Sequence, residues 1–305
     1  MSGGSSMTDP TSAQRVPELV SIIIPVYNGL PDLDVQLDGL ARQDYSGAFE
    51  VIVSDNGSGD GLAEHISNHP QRAELRLRYL DSSAKQGAPY ARNRGAAIAD
   101  GDFLVFVDQD DRVYEHWLSA LVEVAAEVDA VGGAIESDSL NDRTAPIWRP
   151  VPTAAEGFRT HWLPFANGNN TAFWRSAFEK LGGYDEDLTV GDDVDISWRL
   201  QLAGMSFAHA PDALIAYRLR GNFRAAWRQS RGYGYGFART CIKHRAAGCP
   251  RIPAAAALSS LLIAIACNPL NPLTRKQVPV GLWVMHTAGL LGRAQANLRY
   301  RTYTG

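Results

Sequence analysis

The feature that most constrains this chain is a rhythm. Short apolar, β-branched runs, each closed by a polar or acidic turn, alternate with stretches of helical periodicity. "LVSIIIPV" (19–26), "FEVIVS" (49–54), "LRLRYL" (75–80), "FLVFV" (103–107) and "DAVGGAI" (129–135) read as strands. "LPDLDVQLDGLARQ" (30–43), "APYARNRGAAIA" (88–99) and "YEHWLSALVEVAAEV" (114–128) read as helices. Buried strands separated by helices join as right-handed βαβ units. The pattern therefore predicts an α/β fold, Rossmann-like, with a mostly parallel central sheet flanked by helices. In such sheets ligands bind beyond the carboxyl ends of the strands. Asp55 follows the second strand and Asp108 the fourth, so both are expected to open onto one crevice.

The fourth strand ends in Asp108-Gln109-Asp110-Asp111. Three neighbouring carboxylates repel one another, so a metal ion, a basic side chain or solvent must offset them. No Walker loop and no GxGxxG follows the first strand, which excludes the usual nucleotide-binding signatures. Residues 137–164 carry prolines and little periodicity, and read as a long connection over the crevice. Residues 165–204 read as a Gly/Asn loop, a helix, a turn, the acidic cluster "GDDVD" and a further helix N-capped by Asp192.

Charge divides the chain. Residues 1–212 hold all 33 Asp and Glu and 15 of the Lys and Arg, whereas residues 213–305 hold 14 Lys and Arg and no carboxylate. The acidic part argues against nucleic acid as a partner, and the basic part suits an anionic surface. Arg220, Arg224, Arg228 and Arg231 recur at helical spacing beside Phe223 and Trp227, as in an interfacial helix. Two apolar stretches follow, 253–267 and 278–292. Each is about 15 residues, short of the roughly 18 to 20 that span a bilayer. They are read as helices that pack on the core, form a homodimer surface or insert shallowly in a membrane. Cys241, Cys249 and Cys267 are unpatterned, which suggests a reducing compartment without a zinc site. The opening "MSGGSSM" looks like an appended leader. The expected organisation is thus 1–18 outside the fold, 19–218 as the main domain and 219–305 as a basic, apolar helical region.

Five blocks, in order, carry a resemblance: "VSIIIPVYNG", "EVIVSDNGSGDG", "KQGAPYARNRGAAIADGDFLVFVDQDD", "NGNNTAFWRSAFEKLGGYDE" and "GDDVDISWRLQLAG". Together they resemble glycosyltransferase family 2, inverting enzymes of the GT-A fold, over roughly residues 19 to 218. The resemblance implies transfer of a sugar from a nucleoside diphosphate donor to an acceptor hydroxyl. It implies that Pro25, Tyr27 and Asp55 hold the base and ribose; a carboxylate accepting from an imide N–H favours a UDP or dTDP donor. It places Lys85 and Arg92 near the diphosphate, and Asp108-Gln109-Asp110 as the DxD-type motif. Asp110 is then the direct ligand of Mn²⁺ or Mg²⁺, with Asp108 nearer the ribose. It implies Asp193 as general base, with Asp192, which stands where Glu is usual, as the alternative. Asn167, Asn169, Asn170 and Trp174 are the candidates for sugar or acceptor contacts.

The chain departs from the pattern at Gly29, where an acidic residue is common, and at Tyr217, where many members place a metal-binding His. "RQSRGYGYG" does not match the QxxRW of processive synthases, so a single transfer is expected. The acceptor is expected to be a lipid-linked glycan, a natural product or a peptide, and the location cytoplasmic, on the cytoplasmic face of a membrane. Two rival readings are a sugar-phosphate nucleotidyltransferase and a catalytically inactive GT-A scaffold.

Overall fold

The structure is a computed structural model that describes residues 15–142, 144–269, 271–273 and 278–304. Residues 1–14 of the expected leader lie outside them. The predicted rhythm is present. β1 (Val20–Val26), α1 (Asp32–Ala41), β2 (Phe49–Asp55), α2 (Leu62–Ser67), β3 (Leu77–Asp81), α3 (Ala88–Ile98) and β4 (Phe103–Val107) follow in turn. A two-residue β5 (Arg112–Val113), α4 (Trp117–Ala125) and β6 (Ala130–Glu136) complete the first half. The apolar strands are buried throughout β1 and β4, as their unbroken Val, Ile and Phe runs require.

The connecting segment forms α5 (Ala145–Trp148) and a small hairpin, β7 (Phe158–Arg159) with β8 (Pro164–Phe165). Next come β9 (Asn170–Trp174), α6 (Arg175–Leu181), α7 (Asp192–Leu202) and β10 (Phe207–Ala216). The eight-stranded sheet runs β3-β2-β1-β4-β9-β6-β10-β5. β9 corrects the expected order, since "NTAFW" is a central strand rather than part of a loop before a helix. It lies antiparallel to both β4 and β6. Its five residues are too short for periodicity to separate them from the helix that follows directly.

The sheet is sandwiched. Leu33, Leu37, Leu40, Trp117 and Leu121 fill one side, and Phe106, Phe173, Phe178, Tyr184 and Ile196 the other. The second set is an aromatic cluster in which Phe106 stacks on Phe178 and meets Tyr184 edge-on.

The basic C-terminal region is helical: α8 (Phe223–Lys243), a 3₁₀ turn, α9 (Ala254–Ala266) and α10 (Val280–Arg299). α8 begins at Phe223 because the Asn222 side chain caps it, accepting from Ala225 N–H. Arg220 therefore precedes the helix instead of sharing its face. α8 and α10 touch backbone to backbone, since a Cβ on Gly234 would meet the Gly289 carbonyl and one on Gly292 that of Arg231. Asp195 fastens α7 to α8. This fully buried carboxylate lies 2.8 Å from Arg199 Nε, 2.7 Å from Lys243 Nζ and 2.8 Å from His244 Nε2. Among the described residues, no helix is long and apolar enough to cross a membrane.

Candidate active site

β1, β2 and β4 are parallel, so their carboxyl ends open on the same edge. A crevice of about 200 Å³ lies there, lined by Pro25, Tyr27, Asn56, Asp108, Gln109, Asp110 and Arg220. Gln109 braces its floor: its Oε1 accepts from Tyr27 N–H at 2.7 Å and its Nε2 donates to Tyr27 O at 3.2 Å. A Cβ on Gly29 would lie 2.7 Å from Val26 and 3.0 Å from Gln109 Oε1. Glycine at this position therefore goes with the brace. Asp55 is buried just behind the crevice. Its Oδ1 accepts from Gly57 and Ser58 N–H and its Oδ2 from the Tyr79 hydroxyl at 2.8 Å. Burial and the Asp55 charge push the Tyr79 phenol up to about 12.

The acidic turn is neutralised mainly by arginines. Arg92, on α3, is buried and donates to Asp108 Oδ1 and to Asp192 Oδ2, each at 2.8 Å. Burial disfavours its charge, but Asp108 and Asp192 outweigh this and raise its pKa. A side chain at Gly168 would press on the same guanidinium. Arg220 pairs with Asp110 at 3.2 Å, and Arg218 donates from Nε to Asp110 O. Asp111 is buried, accepting from Arg218 N–H and, at 2.6 Å, from Asn169 Nδ2. Burial and its two acidic neighbours push Asp111 well above the usual carboxylate range, and Asp110 is raised for the same reasons. One carboxylate oxygen from each of Asp108, Asp110 and Asp111 lies within 4.8 Å of the others. An all-oxygen set of three crowded carboxylates fits a hard divalent cation, which would relieve the repulsion.

A second cavity, of about 540 Å³, adjoins the first and shares Ala88 and Asp108 with it. Asn167, Asn169, Asp192, Asp193, Tyr217 and Tyr233 line it. Asp192 and Asp193 open α7 after Gly191, whose φ of 84° favours glycine. Both carboxyls are raised by burial and by the crowding of acids, with Arg92 opposing. Their partners differ. Asp192 is held by Arg92, whereas among the described residues Asp193 accepts backbone N–H groups, from Val194 at 2.8 Å and Gly168 at 3.2 Å. Asn169 also lines this cavity, and its buried Oδ1 has no hydrogen-bond partner among the described residues.

Other candidates sit elsewhere. Lys85 is turned to Glu186 and Asp187, at 3.2 and 3.5 Å. Asn170 is fully buried, and its amide is spent on the sheet. It accepts from Trp117 Nε1 and donates to Ala134 O and Ala213 O. Trp174 pairs with Phe103, at the opposite end of β4 from the acidic turn, and its indole donates to Ala125 O. The antiparallel run of β9 explains the split, because it brings Asn169 to the crevice and carries Trp174 away. These placements correct the expectation that Asn170 and Trp174 contact a sugar. Sequence reasoning missed Arg218 and Arg149, and it assigned Arg220 to an interfacial helix instead of to Asp110. Arg149 lies over the Tyr217 and Tyr233 rings and donates to the Tyr217 hydroxyl at 3.0 Å. His209 is engaged by Gly132 O and Ala154 O, remote from the acidic turn.

A mostly parallel sheet with β9 and β5 antiparallel, an acidic turn after β4 and a carboxylate pair at a helix start together describe the GT-A fold of glycosyltransferases. Residues 21–182 match the family model described as Glycosyl transferase family 2, and residues 103–292 that of Glycosyl transferase family group 2. The chain belongs to glycosyltransferase family 2. It is 31% identical over 205 residues to "Glycosyltransferase AglE" of Haloferax volcanii, covering 66% of this chain and 67% of that one. It is 33% identical over 184 residues to "Uncharacterized glycosyltransferase YibD" of Escherichia coli, covering 57% and 51%. With a "Pre-mycofactocin glycosyltransferase" of Mycobacterium tuberculosis it shares 27% identity, covering 80% and 52%. The chain thus spans about half the length of the last two. Its fold is similar to a mannosyltransferase of Pyrobaculum calidifontis in complex with GDP-Man and Mn²⁺. The TM-score is 0.60 at 22% identity, over 92% of this chain and 88% of that one. It also resembles S. aureus TarS 1–349 in complex with UDP, with a TM-score of 0.51 at 16% identity over 92% and 91%.

Proposed function

We propose that this glycosyltransferase moves a sugar, with inversion, from a uridine or thymidine diphosphate donor to an acceptor hydroxyl, assisted by Mn²⁺ or Mg²⁺. The observation that carries the reading is the junction of two cavities at Asp108. One holds the acidic turn; the other holds Asp193, which forms no ion pair among the described residues. The donor's base and ribose lie against Pro25, Tyr27 and the Asp55 turn, with Gln109 holding the β1 backbone in place. Asp110 and Asp108 would hold the divalent ion, which supplies Lewis-acid stabilisation of the leaving diphosphate when bound. Arg92 donates to both Asp108 and Asp192 and so fixes the two carboxylates between the cavities.

The acceptor hydroxyl enters the larger cavity, against Asn167 and Asn169. Its oxygen forms a bond to the anomeric carbon as the bond from that carbon to the phosphate oxygen breaks. The hydroxyl proton passes to Asp193, whose raised proton affinity suits a base acting late in the transfer. Asp192, fixed by Arg92, orients the helix start and takes no proton. Two features support an acceptor presented at a cytoplasmic membrane face. The C-terminal region carries no carboxylate, and Leu258, Leu261, Leu262 and Ile265 of α9 are all more than half exposed.

The test is Asp193→Asn, assayed by nucleoside diphosphate–Mn²⁺ affinity and by transfer. Affinity is expected within about threefold of wild type, with turnover lower by roughly 10²–10⁴. Turnover near wild type would overturn the assignment of the base.

A further inference from the structure

A second concave surface lies on the C-terminal side of the larger cavity. It is a groove of about 830 Å³ between α8 and α10, and its walls carry Arg228, Arg231, Arg239 and Arg299. Three features mark it as more than a solvated face. First, its charge is unbalanced: no carboxylate lies within ion-pair distance of Arg228, Arg231 or Arg299 among the described residues. Arg239 makes one hydrogen bond, to the backbone carbonyl of Asp187. Neither helix can supply a counter-charge, because the sequence has no Asp or Glu after position 212.

Second, the groove has a built floor. Gly232 and Gly236 leave α8 bare where the 189–191 loop crosses, and a Cβ on Gly236 would lie 2.5 Å from Val190 O. Third, the groove lies next to the proposed acceptor cavity, since Thr189 and Val190 line both. The loop that separates them leads directly into Gly191, Asp192 and Asp193.

We infer that this groove binds a phosphate or diphosphate group on the acceptor, so that the acceptor's hydroxyl reaches Asp193 while its anionic end is held by arginines. Planar guanidinium groups suit phosphate oxygens geometrically as well as in charge. The donor diphosphate is already provided for at the acidic turn, on the far side of Asp108. The groove therefore serves a second anion. The inference rests on the transferase reading for its direction, and the experiment separates the two.

Inorganic pyrophosphate is titrated into the full chain in EDTA, where metal-dependent binding at the acidic turn is suppressed. Wild type is compared with R228Q/R231Q, R228K/R231K and Asp110→Ala. The groove predicts that R228Q/R231Q weakens pyrophosphate binding at least about tenfold, with partial recovery in R228K/R231K and no loss in Asp110→Ala. Equal pyrophosphate affinity in wild type and R228Q/R231Q, or loss in Asp110→Ala alone, overturns the groove. Uridine diphosphate–Mn²⁺ binding, run in parallel, reports on the transferase reading alone. Its absence in wild type counts against that reading whatever pyrophosphate does.

Cosedimentation with vesicles of phosphatidylglycerol and phosphatidylcholine in equal parts identifies the source of the phosphate. If R228Q/R231Q abolishes vesicle binding together with pyrophosphate binding, the phosphate is a bilayer headgroup and the assignment to the acceptor is overturned. If it spares vesicle binding, the phosphate belongs to the acceptor itself and the inference stands as stated.

Discussion

Asp195→Asn tests how α7 is anchored to the C-terminal region. The substitution keeps the shape of a fully buried side chain and removes its charge. Burial alone would raise the Asp195 pKa, yet His244, Arg199 and Lys243 bring it down from 3.8 to about 2. At about 1.4 kcal/mol per pH unit, the folded protein prefers the ionised carboxylate by roughly 2.5 kcal/mol. Its neighbours are not stranded by the change. Lys243 keeps Asp185 at 2.6 Å, and Arg199 still donates to Leu181 O and Gly183 O. The expected loss is therefore about 2–3 kcal/mol, below the roughly 3–5 of a buried pair cut from one side only. The sign follows from a depressed carboxylate. Its contribution is complete above about pH 4 and is lost as pH falls through about 2. Urea unfolding of both proteins between pH 8 and pH 3 reads the difference, which should be level from pH 8 to about 5 and narrow below 4. A loss under about 0.5 kcal/mol at pH 7, or one that grows on acidification, would refute the anchoring role.

Three further outcomes are expected. Asp110→Ala should weaken Mn²⁺-dependent nucleotide binding by tenfold or more, and an unchanged metal dependence in calorimetric titration would reject Asp110 as a ligand. Asn170→Ala should cost roughly 3 kcal/mol or more in chemical unfolding, since it leaves a buried indole N–H and two carbonyls unpaired; a stable variant with impaired sugar transfer would instead return Asn170 to the site. Leu261→Glu with Leu262→Glu, on the exposed face of α9, should release the protein from anionic vesicles in flotation while leaving its unfolding midpoint nearly unchanged. Undiminished flotation would remove α9 from the membrane contact, and a shift in oligomeric size would assign its face to a second copy of the chain.

How much of this was legible in the residues depended on the range of the forces involved. The buried runs at 19–26, 49–54 and 103–107 declared their strands, because a strand covered on both faces needs unbroken apolar residues. The place of Asp108 followed, since a parallel strand delivers its carboxyl end to the ligand edge. "NTAFW" was different. Alone it is five residues of weak pattern, and it became a central antiparallel strand only because β4 and β6 flank it. That pairing decided which of its residues meet the crevice, and it removed Asn170 and Trp174 from the sugar.

The charges divide in the same way. Sequence alone established that Asp108, Asp110 and Asp111 need positive partners, and that everything after residue 212 is basic. Only the tertiary structure decided which cations answer: Arg92 from a helix sixteen residues earlier and Arg220 from about a hundred residues later, with the Arg218 guanidinium on the Asp110 carbonyl. It also gave Asp192 and Asp193 different surroundings, a guanidinium for the first and, among the described residues, backbone N–H groups for the second. Local pattern is set by neighbours along the chain, where burial periodicity acts. Pairing between charges is set by distance in space, and the fold alone provides that.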